Sequence, residues 1–196
     1  MSLSGGEGRR TGDYVVFDLE ATGLSPKTDR IIEVGAVRYD SEMQRLGDLE
    51  VLVDPGMPIP LAVQRLVGIT TDQVLGAPSP SEAVAQLADF CAGADLVTHG
   101  GAFDMHFVVA LAPDAFHNRS VFDTLELARI LLPTVETHGL QHLSRALGLP
   151  HERPHRALSD AEATGALFAW LRQRARRLPP PVIGQLRRIA EPAGPT

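Results

Sequence analysis

An apolar run that ends in two acids constrains this chain more than any other feature. Tyr14-Val15-Val16-Phe17 reads as a buried strand, bounded by Gly12-Asp13 and Thr22-Gly23, and it leads directly into Asp18, Leu19 and Glu20. Side chains two apart on a strand share a face, so Asp18 and Glu20 project together from its end. Neighbouring carboxylates repel one another unless a cation sits between them. Hard oxygen ligands of this kind suit Mg²⁺ or Mn²⁺. Element ends are also where α/β folds place their sites.

The rest of the pattern is that of an α/β chain. Ile31 to Tyr39 and Leu49 to Val53 continue as strands separated by polar turns, which predicts an antiparallel meander. Pro55, Pro58 and Pro60 break the pattern, and a turn-rich segment follows around Val67-Gly68-Ile69-Thr70-Thr71. A helix is predicted from about Ser81 to Ala92, with Gly93 as its stop. Asp95 to Thr98 is a short strand that His99-Gly100-Gly101 turns into another helix, with Phe103, Phe107, Ala110 and Leu111 on its buried face. Asp104 falls in the first turn of that helix, where the helix dipole tolerates a carboxylate. Val121-Phe122 ends a last strand and leads into a helix from about Thr124 to Leu132, closed by Pro133. Leu140, Leu143 and Leu147 stripe a further helix, stopped by Gly148 and Pro150. The final long helix is expected to start near Ser159, because Ser159 and Glu162 have capping-box spacing, with Asp160 in the first turn.

A chain of 196 residues fits one domain, and it divides by composition into a disordered N-terminal segment (1–12), a folded domain (13–177) and a Pro-rich tail (178–196). Pro179-Pro180-Pro181 makes a stiff spacer, and Val182, Leu186 and Ile189 then recur at helical spacing, as in a linker or a partner-docking segment. The single cysteine, Cys91, excludes an internal disulfide and lies on an apolar stripe with Val84, Leu87 and Ala88, so it is expected in the core. No apolar run approaches the roughly 20 residues needed to span a bilayer. The first dozen residues carry no secretory signal, so a cytoplasmic protein without a membrane partner is expected. The net charge of −6 runs against nucleic-acid binding, yet four converging carboxylates would account for most of it. Basic charge is nearly all arginine, and six arginines crowd between Arg172 and Arg188, either as a solvated helix face or as an edge that contacts phosphates.

Two further windows carry acids, His99-Gly100-Gly101-Ala102-Phe103-Asp104 and His155-Arg156-Ala157-Leu158-Ser159-Asp160. Each piece alone says little: chance gives roughly 0.7 Asp-x-Glu pairs at this acid content, and the chain has four, so context and order must discriminate. Only Asp18/Glu20 follows an apolar run and leads into Thr22-Gly23-Leu24. Taken in order, the three windows resemble the DEDDh-type (DnaQ-like) 3′→5′ exonucleases, which include proofreading subunits and exonuclease domains of bacterial replicative polymerases, ribonuclease T and oligoribonuclease. The resemblance runs from about Tyr14 to Leu171 and includes Gly68-Ile69-Thr70 and Phe122-Asp123-Thr124-Leu125-Glu126-Leu127-Ala128. Within the group the chain looks most like exonuclease domains of Gram-positive-type replicative polymerases and of exonuclease–helicase fusions.

That resemblance implies an α/β fold with a ribonuclease-H-like mixed five-stranded sheet, strand order 3-2-1-4-5, flanked by helices. It implies that Asp18, Glu20, Asp104 and Asp160 hold two divalent cations, Mg²⁺ or Mn²⁺, and that His155 is the general base. Histidine suits that role because it titrates near neutral pH. His151, four residues upstream, is the decoy. A tyrosine-based variant of the group has Tyr where Arg156 stands here, so the histidine version applies. The expected reaction is hydrolysis of single-stranded or frayed DNA 3′ ends to nucleoside 5′-monophosphates. The alternatives are exoribonuclease action on short RNA or RNA 3′ tails, or a non-catalytic docking module. A polymerase or helicase is the implied partner or fused domain. Thr22, Gly23, Leu24, His99 and Phe103 are the implied substrate contacts, with Leu24 wedged against the terminal bases. Departures from the family pattern are Gly100 in place of asparagine, Ala21 in place of the first threonine of Thr-Thr-Gly, and Val67 in place of histidine before Gly-Ile-Thr. None of them removes a metal ligand.

Overall fold

The computed structural model describes residues 12–117 and 119–178. Most of the expected N-terminal segment and Pro-rich tail, with Val182, Leu186 and Ile189, lie outside the described residues. In chain order the elements are β1 (Tyr14–Ala21), β2 (Ile31–Tyr39), β3 (Arg45–Leu52), α1 (Leu61–Val67), α2 (Thr71–Val74), α3 (Pro80–Phe90), β4 (Asp95–Thr98), α4 (Ala102–Leu111), α5 (Pro113–Phe116), β5 (Val121–Asp123), α6 (Thr124–Leu131), α7 (Leu140–Leu147) and α8 (Ala157–Arg176). The five strands form one sheet in the order β3-β2-β1-β4-β5, as the resemblance implied. β2 pairs antiparallel with β1 and β3, while β4 runs parallel to β1 and β5.

β1 is central and apolar on both faces because both faces are covered. Val15, Phe17 and Leu19 pack with Leu87, Phe107, Val108 and Phe116 on one side of the sheet. Val16 packs with Val37, Val97, Ala161 and Phe168 under α8 on the other. A third cluster joins Ala128, Leu143, Leu167 and Leu171, with Trp170 at its edge. Cys91 is fully buried, as expected, and burial pushes its thiol up to about 12. Among the described residues no helix is long and apolar enough to cross a membrane.

Two backbone features open the site. β4 pairs with β1 only from Tyr14 to Val16, so beyond Val16 one side of β1 has no ladder partner. Gly35 of β2 lies opposite Asp18, and a Cβ there would come within 2.1 Å of the Ala157 carbonyl carbon. Only glycine lets the start of α8 press this closely onto the sheet.

Several element ends differ from the sequence expectation. β3 begins at Arg45 instead of Leu49, since this edge strand exposes Arg45 and Leu46 and so carries no apolar signal there. α1 occupies the stretch after Pro60, where the prolines mark the approach to a helix and not a continuous turn. α3 starts at Pro80, capped by Ser79 and Glu82 in a reciprocal capping box. In α4 the buried face carries Asp104, Phe107 and Val108, whereas Ala110 and Leu111 are exposed. The helix is turned to aim Asp104 at β1. α8 begins at Ala157, two residues before Ser159, because its first N–H donates to the Glu33 carboxylate (2.9 Å). Ser159 caps nothing, and its hydroxyl accepts from the Arg153 N–H at 3.0 Å.

Candidate active site

Asp18 and Glu20 project from the open end of β1 on the face that α8 covers, as their spacing predicts. Where β1 lacks a β4 partner, the Leu19 N–H is met by Asp104 Oδ1 at 3.1 Å. That bond draws the buried Asp104, in the first turn of α4, in between the two strand acids. Asp160 arrives from the first turn of α8, and one oxygen each from Glu20 and Asp160 and a ring nitrogen of His155 lie within 4.8 Å of one another.

The electrostatics confirm the crowding. Burial holds the Asp18 carboxyl well above the ordinary range, and Asp104, Asp160 and Glu20 add repulsion. Glu20 is pushed up to about 8, first by burial and then by Asp160, Glu33 and Asp104, with the Arg156 guanidinium opposing. Asp104 is pushed up to about 7 by burial, against the pull of the Leu19 N–H and its own backbone N–H. Carboxyls that retain protons near neutral pH, set beside imidazoles, form a hard-oxygen site that a divalent cation would neutralise. The donor set therefore fits the metal dependence of the family described below.

Beneath the acids lies an anchor. Glu33 is a fully buried carboxylate within the apolar stretch from Ile31 to Val37 of β2. It accepts from Arg156 Nε (3.0 Å) and Nη2 (2.5 Å) and from the Ala157 N–H (2.9 Å). This fork fixes the start of α8, and with it the two functional residues on either side. His155 precedes Arg156 with a left-handed backbone (φ 65°), its ring exposed and its N–H donating to Asp160 Oδ2 at 3.1 Å. His151, the expected decoy, contacts Asp160 through ring Nε2 at 2.5 Å from Oδ1.

The expected substrate-contact residues are distributed unevenly. Thr22 is buried, and its side chain closes a loop by accepting the Arg30 N–H at 3.0 Å. Gly23 leaves room for Asp29, whose carboxylate a Cβ would meet at 2.5 Å and which accepts the Ser25 N–H at 2.9 Å. The loop these contacts shape follows the end of β1 and leaves Leu24 86% exposed. His99 is partly buried, with Nδ1 2.9 Å from the Thr124 hydroxyl, and desolvation lowers its pKa. Phe103 is tilted against Phe107, ring centroids 5.0 Å apart, at the margin of the core. Gly100 has φ 69°, a left-handed conformation that glycine takes without strain and asparagine tolerates better than most residues.

Sequence reading missed Glu33, Asp29 and Asp123. Asp123 accepts the N–H groups of Gly100 (2.9 Å), Gly101 (3.2 Å) and Leu125 (2.8 Å), tying the turn before α4 to the start of α6. A charged residue inside the Ile31-to-Val37 run was the available signal for Glu33. Asp29 and Asp123 act on backbone N–H groups that become neighbours only in the fold. Of the arginine cluster, Arg172 lies over Tyr14 (4.8 Å) and donates to the Ser41 carbonyl, at the end of β1 away from the acids. Arg174 sits against Trp170 and the Leu131 carbonyl. Along α8, Arg172 is about 18 Å from Asp160 at 1.5 Å per residue, so these arginines brace the fold and do not line the acid cluster.

A mixed sheet in this order, with acids from β1, α4 and α8 meeting at its open end, defines a ribonuclease-H-like exonuclease domain. The sequence profile of the RNase T exonuclease family matches residues 15–168, and the chain belongs to that DnaQ-like family. The 3′-5′ exonuclease DinG of Bacillus subtilis is 39% identical over 186 residues, covering 91% of this chain and 19% of that protein. The PolC-type DNA polymerase III of Clostridium perfringens is 36% identical over 171 residues, covering 86% of this chain and 12% of the polymerase. The chain thus spans less than a fifth of the length of either relative. Escherichia coli exonuclease I in complex with a dT13 oligonucleotide shares the fold, with TM-score 0.75 at 20% identity over 89% of this chain and 43% of that one.

Proposed function

We propose that this domain removes nucleotides one at a time from single-stranded or frayed DNA 3′ ends, releasing nucleoside 5′-monophosphates. The observation that carries the reading is the meeting of Asp18, Glu20, Asp104 and Asp160 beside an exposed His155. Asp18, Glu20, Asp104 and Asp160 would hold two divalent cations, Mg²⁺ or Mn²⁺. When bound, such ions acidify a water and offset charge on a departing 3′-oxygen.

The protein's own residues supply the rest. His155 takes the proton of the attacking water; its exposed ring and its place on a left-handed hinge beside Asp160 support this assignment. Glu33 and Arg156 hold that hinge to β2. Leu24, presented on a loop braced by Asp29, is suited to pack against a terminal base. Relatives support DNA as substrate: exonuclease I was captured with dT13, and PolC-type enzymes are DNA polymerases. The PolC-type relatives likewise support a polymerase partner or fused domain.

The test is digestion of matched 5′-labelled single-stranded DNA and RNA with Mg²⁺ or Mn²⁺, read as a product ladder. A metal-dependent ladder that shortens DNA from the 3′ end, with RNA spared, is expected. Preferential shortening of RNA would move the protein to the exoribonuclease branch, and no cleavage of either would refute the assignment.

A further inference from the structure

The two histidines near Asp160 occupy opposite situations. His155 touches Asp160 only through its backbone N–H, while its ring is exposed. His151 touches Asp160 through its ring, and that side chain is 7% exposed. Its other ring nitrogen, Nδ1, is buried and has no hydrogen-bond partner among the described residues. A ring nitrogen held 2.5 Å from a carboxylate oxygen attracts it only if a hydrogen lies between them. With no partner at Nδ1 among the described residues, Nε2 is the ring nitrogen engaged, and the hydrogen it shares with Asp160 fixes the orientation of both groups.

We infer that His151 is a positioning residue that orients Asp160 for divalent-cation binding, and that it is not a second base. This role rests on the proposed metal-dependent reading of the site. Asp160 Oδ1 is held by His151 and Oδ2 by the His155 N–H, so the carboxylate plane is fixed from both sides. Each oxygen keeps a further lone pair, and one Asp160 oxygen lies within 4.8 Å of a Glu20 oxygen. Hydrogen bonds that orient ligating carboxylates in this way raise metal affinity without touching the substrate. The ring is poorly placed for any other task. The side chain is nearly buried and lines a groove of about 370 Å³ together with Tyr39, Met43 and Arg45. Its Nε2 is engaged by Asp160, whereas the His155 ring is exposed.

The experiment is Mn²⁺ titration of the intact chain, followed by electron paramagnetic resonance of the free ion, for wild type, His151→Ala, His151→Gln and His155→Ala. Removing an orienting partner of a metal ligand typically weakens affinity about 10–100-fold, and His151→Ala is expected to raise the Mn²⁺ Kd by that factor. Turnover at saturating Mn²⁺ should fall by a smaller factor. His151→Gln, whose amide N–H reaches the same carboxylate, should recover part of the affinity, and it carries the test if the alanine variant does not fold. His155→Ala should show the opposite split, with Kd near wild type and turnover collapsed. An unchanged Kd in both His151 variants would overturn the positioning role. A collapse of turnover at unchanged Kd would also overturn it, by making His151 catalytic. A wild type that binds no Mn²⁺ would overturn the metal-dependent reading itself.

Discussion

Glu20→Gln removes one charge from the acid cluster while preserving side-chain shape, and its effect on the metal-free protein should depend on pH. Glu20 rises from 4.5 to about 8 in the folded protein. At about 1.4 kcal/mol per pH unit this corresponds to at most about 5 kcal/mol of unfavourable charging, or about 2–3 kcal/mol once its partial exposure to solvent is allowed for. The sign follows from proton counting. Between pH 4.5 and 8 the folded state keeps a proton that the unfolded chain has released, so stability falls as pH rises through this window. Glutamine carries no such penalty at any pH. In EDTA the variant should therefore match wild type near pH 4.5 and exceed it near pH 8.5. For a domain of this size about 2–3 kcal/mol corresponds to a Tm gain of about 5–10 °C. Differential scanning calorimetry at the two pH values measures this directly. Saturating Mg²⁺ should reverse the order, because wild type gains binding free energy that the variant has largely lost. If glutamine stabilises equally at both pH values, or destabilises at pH 8.5, the carboxylates do not crowd one another and the account of the site is wrong.

Further outcomes are accessible with ordinary assays. His155→Ala should lower turnover about 10²–10⁴-fold, measured on 5′-labelled DNA, with the fold intact by circular dichroism. Arg156→Ala strands the buried Glu33 carboxylate and should cost about 3–5 kcal/mol, read as a lower urea midpoint, together with a loss of activity as the His155 hinge loosens. Leu24→Ala removes an exposed side chain, so stability should change by less than about 0.5 kcal/mol while KM for single-stranded DNA rises; an unchanged KM would remove Leu24 from the substrate interface. Gly35→Ala should block the approach of α8 to the sheet and yield protein that does not fold cooperatively in thermal melts.

The sequence made legible what depends on local periodicity. The apolar run of β1 and the two-residue spacing of its acids sufficed to place Asp18 and Glu20 on one face, whereas the sheet order came only from the family resemblance that the three windows carry. Two kinds of feature stayed hidden. Edge and turn elements such as the start of β3 and α1 carry little apolar signal because they bury little. Contacts between residues distant in sequence, such as Glu33 with Arg156 and Ala157, cannot be read from spacing at all. Ser159 and Glu162 show the resulting error. Their spacing matched a capping box, but a carboxylate from β2 claims the first N–H of the helix, so α8 starts two residues earlier. The same blind spot made His151 look like a mere decoy, since only the fold brings its ring onto Asp160.

The acidic balance of the chain bears on when it can engage nucleic acid. Arg156, a permanent cation that acts on Glu20, is already shared between Glu33 and Glu50. Arg172 and Arg174 of α8 stack and bond away from the acids, so they add little positive field there. A phosphate approaching the metal-free cluster therefore meets carboxylates that either repel it or hold protons. On the proposed reading, two divalent ions would bring the charge of four carboxylates to about neutral and set cationic centres where the scissile phosphate must lie. Affinity for a DNA end should then depend on the metal as strongly as turnover does. Fluorescence anisotropy of a labelled single strand should show much tighter binding by His155→Ala with Ca²⁺ or Mg²⁺ than in EDTA. Equal affinity in the two conditions would mean that surfaces outside the acid cluster hold the strand.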